Sequence, residues 1–146
     1  MQLFRLVNKE HDPIEAGSLL TRTSDCSNQK IADGMYFALT REDALKFSTK
    51  DHGHTYTHLL TCQLEEISKN DLVDLVKNEN QIARFKTSAK PPLSILTGRE
   101  LNTRYCDIHG KKGILWRARK GWTEVCILKQ FVANSVIIEA AETLQR

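Results

Sequence analysis

Gly34-Met35-Tyr36-Phe37-Ala38-Leu39-Thr40, running directly into Arg41-Glu42-Asp43-Ala44-Leu45-Lys46-Phe47, decides the fold class. Residues 35–39 are a short aromatic and apolar run, which is what a strand buried on one or both faces requires. Thr40 is a suitable N-cap. Glu42 and Asp43 then fall in the first helical turn, where the helix dipole favours negative charge. Ala44, Leu45 and Phe47 can turn toward a core from a helix over residues 41–49. Tyr36 and Phe37 are either ordinary core aromatics or one wall of a site for a flat ligand, since aromatics are common in strands.

Upstream of this stretch, residues 3–7 read as a first strand. Asp12-Pro13 opens a turn, residues 14–16 make a helical turn, and Gly17-Ser18 leads into Leu19-Leu20. Residues 21–33 are small and polar and read as a long loop, of the kind that often carries function. Beyond the helix, residues 55–64 are rich in threonine, tyrosine and leucine and predict a strand. Residues 69–86 are ambiguous: residues 71–76 fit a strand or a helix start behind Ser68, and residues 81–85 favour helix. Lys90-Pro91-Pro92 breaks whatever precedes it. Residues 93–112 carry the weakest signal. Residues 114–118, 122–128 and 135–139 then read as three strands, separated by Arg119-Lys120-Gly121 and by residues 129–134. With sheet concentrated at both ends of the sequence, the fold class is α+β, in a single domain over residues 1–146.

Composition narrows the function classes. At 146 residues, 40% hydrophobic and 27% charged, the chain is long enough to bury a core without disulfides and too apolar to be disordered. A net charge of +3 is too mild to argue for nucleic acid by itself. No apolar run approaches the roughly 20 residues of a membrane helix. Met1-Gln2-Leu3-Phe4-Arg5 lacks a signal-peptide pattern, so a cytoplasmic protein with no membrane partner is expected. Cys26, Cys62, Cys106 and Cys126 have no C-x-x-C spacing, which predicts buried reduced thiols and no metal site.

Taken in order, Leu3-Phe4-Arg5-Leu6, Ala16-Gly17-Ser18-Leu19-Leu20, Gly34-Met35-Tyr36-Phe37-Ala38 with its helix, and Thr123-Glu124-Val125-Cys126-Ile127-Leu128 resemble the ADP-ribosyltransferase superfamily. Their order and spacing cover about the whole chain, and the size is that of small bacterial or phage toxin-like members and of the rifamycin transferases. The resemblance implies a split two-sheet ADP-ribosyltransferase-like fold with short helices packed around it, clamping NAD in a cleft. It implies Glu124, Arg5 and Tyr36 as catalytic residues. It places Arg5, Leu6, Gly34, Tyr36, Phe37 and Thr57 at the NAD site, with no metal. Breaking the nicotinamide–ribose bond generates an oxocarbenium-like sugar, which a carboxylate such as Glu124 stabilises. Arg5 would hold ribose and pyrophosphate, because guanidinium forks match phosphate oxygens, while Tyr36 stacks on nicotinamide with Phe37 behind it. ADP-ribose would go to a macromolecular acceptor, protein or nucleic acid, with a possible inhibitory protein partner.

The family has an arginine–serine–glutamate class and a histidine–tyrosine–glutamate class; Arg5, Tyr36 and Glu124 mix the two. Thr57 and Thr61 stand where a serine-rich strand would lie. Trp122 occupies the position two before Glu124, so arginine modification is not expected.

The same residues have plainer roles open to them. Arg5 fits a solvated charge on an amphipathic strand, and Glu124 fits the polar face of an alternating strand. His52, His54 and His58 suggest a metal site or general base, or a loop entering a strand. Lys111, Lys112, Arg117, Arg119 and Lys120, interleaved with Trp116 and Trp122, suggest a single-stranded nucleic-acid surface or a small ribonuclease; a hairpin with its tryptophans turned to the core fits equally. An NAD hydrolase of the RES-toxin type and an inactive binding module complete the alternatives.

Overall fold

The computed structural model describes residues 1–20, 31–46, 56–88, 96, 98–117, 121 and 123–144. The elements in chain order are β1 (Gln2–Val7), β2 (Gly34–Ala38), α1 (Arg41–Lys46), β3 (His58–Leu64), β4 (Leu72–Asp74), α2 (Gln81–Ser88), α3 (Gly98–His109), β5 (Gly113–Arg117), β6 (Thr123–Leu128), α4 (Lys129–Ser135) and β7 (Val136–Thr143). The architecture is α+β, as expected.

The strands form one seven-stranded sheet in the order β4-β5-β6-β2-β1-β3-β7, where two separate sheets were expected. All neighbours are antiparallel except β4 and β5. The sheet nonetheless has a seam. β1 pairs with β3 through six residue positions, from Gln2↔Gln63 to Val7↔His58, and β2 pairs with β6 through five, from Gly34↔Leu128 to Ala38↔Glu124. Between β1 and β2 there is only Phe4↔Ala38. Two well-laddered halves thus meet at a single residue pair.

Local chemistry explains the elements. The hydroxyl of Thr40 accepts from Asp43 N at 3.1 Å, the N-cap expected of it, and Ala44 is buried under α1. Residues 47–49, the end of the expected helix, lie outside the described residues. So do residues 21–30 of the expected loop, together with Ala118, Arg119, Lys120 and Trp122. Gly34 is required where β2 runs against β6: a Cβ there would lie 2.1 Å from Ile127 O. The ambiguous residues 69–86 hold a short 3-10 turn, β4 and α2 in succession.

The weak stretch from residue 93 contains the twelve-residue helix α3, whose buried side chains are Leu101, Tyr105 and Cys106. Gly110 follows with a φ of +64°, and Lys111 N closes the end on Cys106 O at 2.8 Å. Residues 14–16 do not form the expected helical turn. The chain instead runs on to lay residues 17–20 along the outer edge of β7, with Gly17 N donating to Ile138 O at 2.7 Å and Ile138 N donating to Ser18 O at 2.9 Å. β7 extends to Thr143, past the expected end at Glu139, and its last five residues are exposed.

Two apolar layers flank the sheet. One packs Leu3, Val7, Met35, Phe37, Leu60, Cys62, Val125 and Ile127 together. On the other face, Ile114, Cys126 and Leu128 meet Ile82 of α2 and Leu101, Tyr105 and Cys106 of α3. Around Leu6, Ala38 and Leu59, that face is covered by Ala44 of α1.

Candidate functional site

The seam between β1 and β2 gathers the residues of interest. Where the ladder stops, Arg5 Nη1 donates to the carbonyl of Tyr36 at 2.8 Å. The guanidinium carbon lies 6.0 Å from the centroid of the Phe37 ring, a cation–π contact. Arg5 Nε is buried and has no hydrogen-bond partner among the described residues. A guanidinium N–H removed from water without an acceptor costs about 1–3 kcal/mol, so such a group is an exception in need of a reason.

Glu124 begins the buried run of β6 and is itself 8% exposed. It lies opposite Ala38 on β2 and opposite Trp116 on β5. Since Ala38 also pairs with Phe4, the row Trp116, Glu124, Ala38, Phe4 occupies one face of the sheet, with Tyr36 on the same face one pleat along. Arg5 leaves β1 on the opposite face, with Phe37. The sheet therefore brings Arg5 to the main chain of Tyr36 and sets Glu124 diagonal to the Tyr36 side chain. It does not put Arg5 and Glu124 side by side: they approach the seam from its two faces.

Tyr36 is held firmly. Its hydroxyl accepts from Ile31 N at 2.9 Å and donates to Ala32 O at 3.3 Å, and its ring meets Trp116 edge-on at 5.4 Å. Phe37 is 2% exposed and serves the core and Arg5. Leu6 is buried toward α1. Gly34 provides the close approach of β2 to β6. The Thr57 hydroxyl is engaged at the far end of β1, accepting from Lys9 N at 2.9 Å and bonding His58 Nδ1 at 2.8 Å. Of the residues named at the sequence level, Arg5, Tyr36, Phe37 and Glu124 cluster at the seam, while Thr57 stands apart. Trp116 and Ala38, the neighbours of Glu124, carried no sequence signal for that role, because cross-strand register is not local information.

The other candidates resolve more simply. His58 is buried between two hydroxyls, with Nε2 3.4 Å from Thr143 Oγ1; His52 and His54 lie outside the described residues. Among the described residues no three His, Cys, Asp or Glu side chains are grouped to hold a metal ion, and no helix is long and apolar enough to cross a membrane. Trp116 turns to the core against Tyr36, so the basic stripe does not present that ring. Lys111 and Lys112 donate to the carbonyls of Asn70 and Glu66, at 2.8 and 3.2 Å. Cys62, Cys106 and Cys126 are buried reduced thiols, as expected. Burial pushes the thiols of Cys62 and Cys106 up to about 12, against a pull downward from Arg5 on Cys62 and from Lys111 on Cys106.

No protein-family model matches the chain, and no curated protein matches it. Among solved structures it is similar to a chain described as "Crystal structure of an anti-CRISPR protein", at 16% identity, over 99% of this chain and 95% of that one, with a TM-score of 0.38. A likeness at that level carries no inference about activity.

Proposed function

We propose that this chain is an NAD-dependent ADP-ribosyltransferase whose site is the β1–β2 seam, on a split sheet of the ADP-ribosyltransferase type with β4-β5-β6-β2 and β1-β3-β7 as its halves. The observation that carries the reading is Arg5 Nε, a buried donor without an acceptor among the described residues, at the seam where β1 and β2 pair through Phe4↔Ala38. A phosphate or ribose oxygen provides the acceptor it lacks, and charge-assisted bonds of this kind are the strong ones. The donor set fits NAD in that respect.

Arg5 and the seam backbone would hold NAD from one face of the seam, with Glu124 reaching it from the other. NAD supplies a glycosidic bond whose cleavage releases nicotinamide and leaves positive charge on the ribose. Arg5, fixed by Tyr36 O and Phe37, orients an anionic oxygen. The Glu124 carboxylate, kept largely from water between Trp116 and Ala38, supplies fixed negative charge, which is worth most where the dielectric is low. Tyr36, locked by Ile31 and Ala32, forms a rigid wall and not a moving lid.

The test is incubation of the purified protein with labelled NAD and cell lysate, with Glu124→Gln alongside, following released nicotinamide and transferred label. Transfer that disappears in the variant supports the reading. Nicotinamide release without transfer assigns an NAD hydrolase, and neither signal in the wild-type protein refutes NAD chemistry.

A further inference from the structure

The charges of this chain are distributed unevenly. Eleven of the 21 lysines and arginines lie between residues 77 and 120, against three of the 18 acidic residues: Glu79, Glu100 and Asp107. The remainder of the sequence is therefore net acidic while the chain totals +3. That basic segment folds into α2, α3 and β5, and the two helices form one layer, joined by Gln81 Nε2 donating to the Tyr105 hydroxyl at 2.7 Å and by the Phe85 and Tyr105 rings edge-on at 5.0 Å. The layer packs on the face of the sheet that carries Tyr36 and Trp116.

On the solvent side of the layer Arg84 of α2 and Arg104 of α3 are exposed and form no ion pair among the described residues; Lys77, just before α2, is likewise exposed and without an ion pair among them. Other cations are matched within the fold: Arg99 of α3 and Lys129 with Asp33, Arg41 with Glu142 and Lys46 with Asp43. One turn beyond Arg104 on α3, Ile108 is 49% exposed, one of two large hydrophobic side chains left in solvent among the described residues.

We propose that the solvent side of the α2–α3 layer is the docking face for an acidic protein surface. Docking itself is independent of the transferase reading, and only the chemistry after docking rests on it. The macromolecular acceptor is then an acidic protein. Unpaired arginines around an exposed aliphatic side chain suit protein contact, where arginine and apolar groups are enriched. A nucleic-acid surface would instead offer aromatic faces on which bases stack. Here Phe85 and Tyr105 spend their rings on one another, and Tyr105 stacks on His109 at 4.1 Å.

Fluorescence anisotropy with a labelled 20-residue poly-glutamate peptide tests the face directly, with a 20-nucleotide single-stranded DNA as competitor. Arg84→Glu and Arg104→Glu should each weaken peptide binding about fivefold at low salt, whereas Lys9→Glu, an equal change of net charge far from the layer, should leave it within about twofold. Equal losses in all three variants would mean only net charge is read and would overturn the proposal. Displacement of the peptide by an equimolar amount of the DNA would overturn it in favour of nucleic acid, and failure of the peptide to bind would overturn it outright. Nicotinamide release by the same variants reports separately on the NAD reading, because neither arginine lies at the seam.

Discussion

Replacing Arg5 with methionine separates a binding role from a structural one. Methionine keeps an unbranched apolar stem of similar reach, so most of the packing survives. What disappears is the charge-assisted bond to Tyr36 O at 2.8 Å, worth about 1.5–3 kcal/mol. The contact with Phe37 at 6.0 Å adds about 0.5–1 kcal/mol to the loss. Against this, removing the orphaned Nε relieves a desolvation cost of about 1–3 kcal/mol. The contributions nearly cancel, and the net change in stability should be about 1 kcal/mol, a shift of only a few degrees in thermal midpoint. NAD affinity should behave differently. Losing charge-assisted bonds to a phosphate or ribose oxygen costs about 3 kcal/mol, or roughly a hundredfold in Kd. Calorimetric titration with NAD and a thermal melt of the same sample give both quantities. A variant that melts far below the wild-type protein yet binds NAD equally well would refute the reasoning, since Arg5 would then be a strut for the seam.

The same geometry sets further expectations. Gly34→Ala should destabilise by about 3 kcal/mol or more, read as a lower urea midpoint, because its Cβ would sit 2.1 Å from Ile127 O and must force β2 from β6; an unchanged midpoint would mean the two strands are not in this register. Stability should also decline in alkali. The unfolded chain releases the Cys62 and Cys106 protons near the ordinary 9.0, while the folded chain retains them to about 12, so the stabilisation is complete below 9 and lost as the pH rises toward 12. Urea midpoints at about pH 8 and about pH 10.5 should show the decline, and a Cys62→Ala/Cys106→Ala variant should lose part of it; identical slopes would place the effect elsewhere. The thiols of Cys62, Cys106 and Cys126 should also resist iodoacetamide at about pH 8 until the protein is unfolded, and rapid labelling of these three in the folded protein, mapped by peptide mass, would contradict their burial.

Several elements were legible because their signals are local. Thr40 with Glu42 and Asp43 marks a helix start, and β1, β2, β5 and β6 announce themselves as apolar runs. Helix α3 escaped because only Leu101, Tyr105 and Cys106 of its twelve residues are buried, too narrow a stripe to set a period. The end of β7 beyond Glu139 escaped because residues 140–143 lie exposed at the rim of the sheet, where no alternation is imposed. Residues 14–16 misled because the chain beyond them is directed by Ile138, more than a hundred positions away. The site was half legible for the same reason. Arg5, Tyr36 and Glu124 stand out as residue types on strands, but nothing local reveals that the ladder fails between β1 and β2, or that pleat parity sends Arg5 and Glu124 to opposite faces.

The spans over which the strands pair also set an order of assembly. The β5–β6 hairpin pairs residues about six to fourteen positions apart, β4 joins β5 across about forty, and β1 joins β3 across some fifty to sixty. The pairings of β3 with β7 and of β2 with β6 span the most, about seventy to ninety-five positions. Loop closure over such spans is slow, and contacts of high sequence separation form late. Assembly should then begin on both sides of the seam, from the hairpin that carries Glu124 and from the β1–β3 pair that carries Arg5, with β2 laid between them late. Any species that has not yet captured β2 holds the carboxylate and the cation of the site on separate pieces, without the strand that joins them.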